Sequence, residues 1–270
     1  GVICMNKERL FQDYRSYLGT AGLHEVFAVD YIAELGRQHG LEVFRFRDKL
    51  VALVSHGDEF DISHGANVIV SHLDSPRLDV LVGEPLVEKE DGVFLKVIPY
   101  GGIIPQSWLD IPLVLVGRIY TDEEPIVINT TGEFEFTITS LLPHLDGRKE
   151  LEKFSMNNLV VRVGNSKKEN ILELLKERYG IHEDDLELAD LSFVPATQVR
   201  ELGFDKDLIT GYGHDDSSCV FASLQALLNS ESNSKTQIAI FASYEETGSN
   251  QATGCNSEFI DDIFLDLANG

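Results

Sequence analysis

An unbroken apolar run, Ile238-Ala239-Ile240-Phe241-Ala242, leads into Ser243-Tyr244-Glu245-Glu246-Thr247-Gly248 and restricts the fold more than any other stretch of the chain. The run reads as a buried strand. Adjacent carboxylates at the end of a buried strand are unfavourable unless cations or hydrogen-bond donors hold them. A second apolar run, Val68-Ile69-Val70-Ser71, delivers His72 and Asp74, and a third segment, His214-Asp215-Asp216, opens a helix. Hard oxygen and imidazole donors thus stand where parallel strands deposit functional groups. That combination points to a two-metal hydrolase.

The texture around these segments is α/β. Apolar periodicity predicts helices over Lys7–Leu18 and His24–Gln38, the second with Ala28, Tyr31, Ile32 and Leu35 on one face and Gly40 past its end. Strands are predicted over Glu42–Phe46 and Leu50–Val54, joined by Arg47-Asp48-Lys49, and then over Val68–Ser71. From about Gly83 to Lys206, short alternating runs dominate: Val93–Val97, Leu113–Tyr120, Ile126–Asn129, Glu135–Thr139 and Leu159–Val163, with one helix near Lys167–Tyr179. After Leu208 the α/β texture returns, with a helix over Ser217–Leu228, a strand over Gln237–Ser243 and a helical pattern after Ser257. The expected fold class is α/β, a mixed sheet flanked by helices, with an inserted β-rich domain. The expected division is 1–82, 83–207 and 208–270, the outer two being halves of one domain.

Composition narrows the partners. The 270 residues suit one large domain or two ordinary ones, and 43% hydrophobic content supports a real core. Against 22 basic residues stand 45 acidic ones, a net charge of −23. Such a chain is not expected to bind nucleic acid or an anionic membrane face, and a solvated acidic surface explains the excess. Three scattered cysteines, Cys4, Cys219 and Cys255, do not build a disulfide framework, so a reducing, cytoplasmic location is expected. Cys219 lies within an apolar helical pattern and is expected in the core. No apolar run is long enough to span a bilayer, and Gly1–Met5 lacks the build of a signal peptide.

Each donor segment has two readings when taken alone. In His72-Leu73-Asp74 the outer residues share a side of an extended strand, so Asp74 can support the second ring nitrogen of His72 or orient it through the backbone. An ordinary strand-end histidine is the alternative. Asp215 and Asp216 follow Gly211-Tyr212-Gly213 and can cap a helix or ligate a metal; a carboxylate with two free oxygens can bridge two cations. Cap and ligand are equally good accounts of Asp215, while Asp216 reads as support. For Glu245-Glu246, one carboxylate can ligate a metal while its neighbour faces the activated water. A solvent-facing acidic turn is the alternative. Donors of this kind without cysteine suit zinc, cobalt or manganese.

Three segments resemble the signatures of the M18, or aspartyl, aminopeptidases: Ser71-His72-Leu73-Asp74-Ser75-Pro76-Arg77-Leu78, Gly211-Tyr212-Gly213-His214-Asp215-Asp216-Ser217-Ser218-Cys219 and Tyr244-Glu245-Glu246-Thr247-Gly248-Ser249-Asn250. Tyr100-Gly101-Gly102, Trp108-Leu109-Asp110-Ile111-Pro112-Leu113 and Gly117-Arg118 resemble that family's inserted domain. The resemblance implies a zinc-exopeptidase-like fold and a dinuclear Zn2+ enzyme, with Co2+ or Mn2+ as possible substitutes, that removes N-terminal residues from peptides. It also implies self-association into tetrahedral dodecamers with sites facing an interior chamber. Carried over, His72 ligates one zinc, Asp215 bridges both and Glu246 ligates the other; Glu245 is the general base and Asp74 the catalytic partner of His72. His144 matches a loop that approaches a neighbouring subunit's site.

Two departures stand out. Relatives often carry Arg where Ser217 stands. The resemblance also requires an aspartate and a histidine C-terminal to the glutamate pair, yet no histidine follows His214, and Asp261, Asp262 and Asp266 lie too close to Glu246. The expectation is therefore an N-terminal portion lacking those ligands, with metal binding that is weak or confined to one site and little turnover. The competing expectations are a non-catalytic assembly subunit with a decayed site and a related co-catalytic zinc deacylase or peptidase.

Overall fold

The computed structural model describes residues 6–58, 65–140, 159–230 and 234–269. His144 lies outside them. In chain order the elements are α1 (Lys7–Gly19), α2 (Glu25–Gln38), β1 (Glu42–Phe46), β2 (Leu50–Ser55) and β3 (Asn67–His72). They continue with β4 (Arg77–Val80), β5 (Leu86–Lys89), β6 (Gly92–Tyr100), β7 (Leu113–Ile119), β8 (Ile126–Asn129), β9 (Val160–Gly164), α3 (Lys168–Tyr179) and β10 (Ala189–Pro195). The last are β11 (Arg200–Leu202), β12 (Leu208–Thr210), α4 (His214–Leu228), β13 (Gln237–Ala242) and α5 (Glu258–Asn269).

The chain forms two compact units, Gly1–Ser75 with Gln198–Gly270 and Pro76–Thr197. The sequence reading places the divisions at 82/83 and 207/208. They fall earlier because β4, which follows Pro76 directly, pairs with β6 and β10 of the inserted unit, while the β11–β12 hairpin groups with the outer one.

The outer unit holds a mixed sheet in the order β1-β2-β13-β3, antiparallel except for the parallel pair β13–β3. Successive side chains of a strand alternate between faces, and here both faces of β2 and β13 are covered. Val51, Leu53, Ala239 and Phe241 join a core with Ala28, Val29 and Ile32 of α2 and Val220, Phe221 and Leu224 of α4. Leu50, Ala52, Val54, Ile238, Ile240 and Ala242 join a second core with Ile263 and Leu267 of α5. This is why the run over β13 is apolar at every position, as a strand buried on both sides requires. β1 and β3 are the edge strands, and on β3 Val68, Ile69 and Val70 are exposed.

The inserted unit is an antiparallel sheet in the order β5-β6-β4-β10-β7-β8, with β9 also pairing with β6. Phe193, Leu113, Ile119, Leu78 and Val161 are among the buried side chains of its single core. The strand expected over Glu135–Thr139 does not form a ladder; Phe136, Thr137 and Ile138 make only isolated bridges, to Leu113, Arg162 and Leu109.

Cys219 is exposed, not part of the core. The buried stripe of α4 runs through Ser217, Val220, Phe221, Leu224 and Leu227, so the three- and four-residue helical spacing turns position 219 away from it. Among the described residues, no helix is long and apolar enough to cross a membrane.

Candidate metal centre

The parallel pairing of β3 and β13 decides where the donors meet. Ala242, the last residue of β13, lies beside His72, the last of β3. Both strands end at the same level, and the segments leaving them form one side of the site. The glutamate pair is not on the strand itself: Tyr244 turns the backbone into the left-handed region (φ 63°), and Glu245–Thr247 form a single 3-10 turn.

Asp74 ties these two segments together. Its side chain is fully buried, and its two oxygens accept the backbone N–H groups of Glu245 and Glu246, each at 3.2 Å. Buried carboxylates are tolerated when such donors satisfy them. The sequence reading gave Asp74 to His72 alone. That contact also exists: the His72 Nδ1 lies 2.9 Å from the Asp74 carbonyl oxygen and 3.4 Å from its Oδ1.

The other ring nitrogen, His72 Nε2, faces a group of acids. It lies 3.3 Å from Asp215 Oδ1 and 3.8 Å from Glu245 Oε2. Asp215 and Asp216 stand before the regular part of α4, with non-helical backbone (φ −87°, ψ 111° and φ −112°, ψ 23°) and a cis peptide bond between them. Ser75 Oγ donates to the Asp215 carbonyl at 2.7 Å, and Asp216 Oδ2 accepts the His72 N–H at 3.2 Å. One ligating atom each from His72, Asp215 and Asp216 lie within 4.8 Å of one another. Asp216, read from sequence as support, thus belongs to the same cluster. Behind it, Tyr14 of α1 and His214 pair through Oη and Nδ1 at 2.7 Å.

The electrostatics are those of several acids crowded around one imidazole. Burial pulls the His72 imidazole down, but the hydrogen bond and charge of Asp74, with the charges of Asp216 and Glu245, outweigh it and push the value up to about 9 from 6.5. The Glu246 carboxyl is raised by burial first, then by Asp215 and Asp74. A divalent ion held there would take the place of the proton on His72 and neutralise the acids around it. The donor set, imidazole and carboxylate oxygen without thiolate, fits zinc.

Of the residues carried over from the sequence, His72, Asp74, Asp215 and Glu245 approach one another through their side chains, Glu246 joins them through its backbone N–H to Asp74, and the three-residue ligand cluster is His72, Asp215 and Asp216. Ser75, Tyr14 and the donor position of Asp216 were missed. Ser75 adjoins Asp74 in sequence, a signal that could have found it, whereas Tyr14 comes from a distant helix with no local mark.

A family profile described as Aminopeptidase I zinc metalloprotease (M18) matches residues 38–269. The chain belongs to the M18 aminopeptidase family. It is 40% identical over 215 residues to a probable M18 family aminopeptidase 1 of Thermotoga neapolitana, covering 74% of this chain and 47% of that protein. With the corresponding protein of Borreliella afzelii it shares 37% over 240 residues, covering 82% and 52%. The M18 aminopeptidase structure from Thermotoga maritima superposes with a TM-score of 0.89 at 32% identity, covering 98% of this chain and 65% of that one. A structure from S. cerevisiae, solved as a dodecamer, shares the fold at 17% identity with a TM-score of 0.79, covering 97% and 66%. The chain spans about half the length of the curated relatives it matches.

Proposed function

We propose that this chain carries the metal-binding and proton-accepting residues of a dinuclear zinc aminopeptidase acting on peptides. The observation behind this reading is the convergence of His72 Nε2, the Asp215 carboxylate and the Glu245 carboxylate, with the glutamate turn tied to the same strand end through Asp74. In this reading His72, Asp215 and Glu246 would hold the ions. The bound ions supply a Lewis acid for the scissile carbonyl and an acidified water. Glu245, the more exposed of the pair, takes the proton and passes it to the leaving amine. Asp74 keeps the imidazole oriented so that Nε2 faces the acids.

Zinc is the proposed ion, in line with the family's description, and Co2+ or Mn2+ fit the same donors. Self-association into a dodecamer is proposed from the assembly named for the S. cerevisiae structure. A cytoplasmic location is proposed from the free, exposed thiols of Cys219 and Cys255, which suit a reducing compartment.

The test is release of the N-terminal residue from short peptides after addition of zinc or cobalt. Glu245→Gln is expected to lower the rate by about 10²–10⁴-fold, the ordinary contribution of a general base. Peptides with acetylated N-termini are expected to resist cleavage. A rate unaffected by Glu245→Gln contradicts the assigned base, and equal cleavage of blocked peptides contradicts the exopeptidase reading.

A further inference from the structure

The backbone that presents Glu245 and Glu246 has left the sheet. The β13–β3 pairing ends at Ala242 with His72, so strand ladders do not fix the turn. Tyr244 sits in left-handed backbone (φ 63°), which an aromatic residue rarely adopts. Such a conformation persists where the surroundings over-determine it. The Tyr244 carbonyl accepts the N–H of Ser249 at 2.7 Å and of Thr247 at 3.3 Å. The Tyr244 ring lies under the ammonium of Lys49, with Nζ 5.5 Å from the ring centroid.

Lys49 is itself held from two sides. The Ser243 hydroxyl donates to the Lys49 carbonyl, which fixes its backbone beside the segment leaving β13. Lys49 Nζ lies 3.0 Å from Glu25 Oε1, and the Glu25 side chain is fully buried at the start of α2. His24 Nδ1 stands 3.5 Å from the second Glu25 oxygen and accepts the N–H of Val26. A buried ion pair is a poor source of net stability, because desolvation offsets most of the attraction. What this one can supply is geometry: a cation placed beside a fully buried carboxylate.

We propose that Lys49, anchored by Glu25 and acting through Tyr244, is a positioning residue that sets the Glu245–Glu246 turn against Asp74 and His72. The proposal rests on the reading of the glutamate pair as functional, but its first readout needs no metal. The Glu245 and Glu246 amides donate to Asp74, so their hydrogen exchange reports whether the turn is seated.

The experiment measures exchange in wild type, Lys49→Met, Lys49→Arg and the double variant Glu25→Gln/Lys49→Met, with cobalt affinity measured on the same samples. The double variant removes both charges at once and so avoids a stranded buried carboxylate. Exchange at the two amides is expected to rise by about tenfold or more in Lys49→Met and in the double variant, with β2 and β13 amides unchanged. Lys49→Arg, which keeps the cation over the ring, is expected to stay near wild type. Cobalt affinity is expected to fall in the two charge-removing variants. Wild-type exchange at both amides in a folded double variant overturns the proposal. So does acceleration spread evenly over β2 and β13, which marks general support of the fold. If the amides accelerate selectively while no sample binds cobalt, the positioning role stands and the metal reading falls.

Discussion

In the outer unit, buried polar side chains gather behind the donor cluster: Asp74, Ser71, Ser75, Ser217 and Ser243, with His24 and Glu25 at the start of α2. In the inserted unit the buried polar residues among those described are Arg77, Arg118, Thr130 and Ser192, spread over four strand or strand-end positions around one apolar core. The inserted unit uses its polar groups as a β-sheet protein ordinarily does. Arg77, for example, pairs with Asp79 at 2.7 Å and stacks over Tyr100 at 4.1 Å. The outer unit instead concentrates acids around one imidazole, an arrangement that gains little for stability without a cation. On the proposed reading the chemistry belongs to the outer unit, which makes a sharp demand: changes in the two units must affect metal binding differently.

The largest expected effect tests that separation. Phe193 is fully buried in the inserted core, and Phe193→Ala is expected to cost about 3–5 kcal/mol in chemical denaturation while cobalt affinity of the folded protein stays unchanged. Asp74→Ala is expected to lose metal binding as well as stability. It strands the two amides of the glutamate turn, costs about 3 kcal/mol and abolishes the cobalt absorption spectrum. Adding zinc or cobalt at about a hundred times the dissociation constant is expected to stabilise the protein by about 2.7 kcal/mol, with added exchange protection confined to the outer unit and reversed by a chelator. Tyr14→Phe removes the 2.7 Å contact with His214 and is expected to cost about 1 kcal/mol, seen as a small shift of the denaturation midpoint. Cys219→Ser, at an exposed position, is expected to stay within about 0.5 kcal/mol of wild type.

Much of the outer unit was legible in the sequence because its signals are local. The apolar run of β13 and the 3.6-residue pattern of α2 place both elements within a residue or so of where they lie. The site was legible because its donors follow strand ends or precede a helix. What escaped was non-local. β4 is short and follows Pro76, so its membership of the inserted unit depends on partners far along the chain. Glu135–Thr139 alternates like a strand, yet its neighbours leave it only isolated bridges. Cys219 looks apolar in context, but the phase of α4 turns it outward. Glu25 and Lys49 carry no mark at all, because a buried ion pair has the same letters as an exposed helix start and an exposed turn.

The central claim, that β3 and β13 end in a divalent metal centre, is tested most directly by crystals grown with zinc and measured at the zinc absorption edge. The account predicts an anomalous peak about 2.0–2.2 Å from both His72 Nε2 and an Asp215 carboxylate oxygen. Zinc bound only elsewhere on the acidic surface, with no peak between those two side chains, would contradict it.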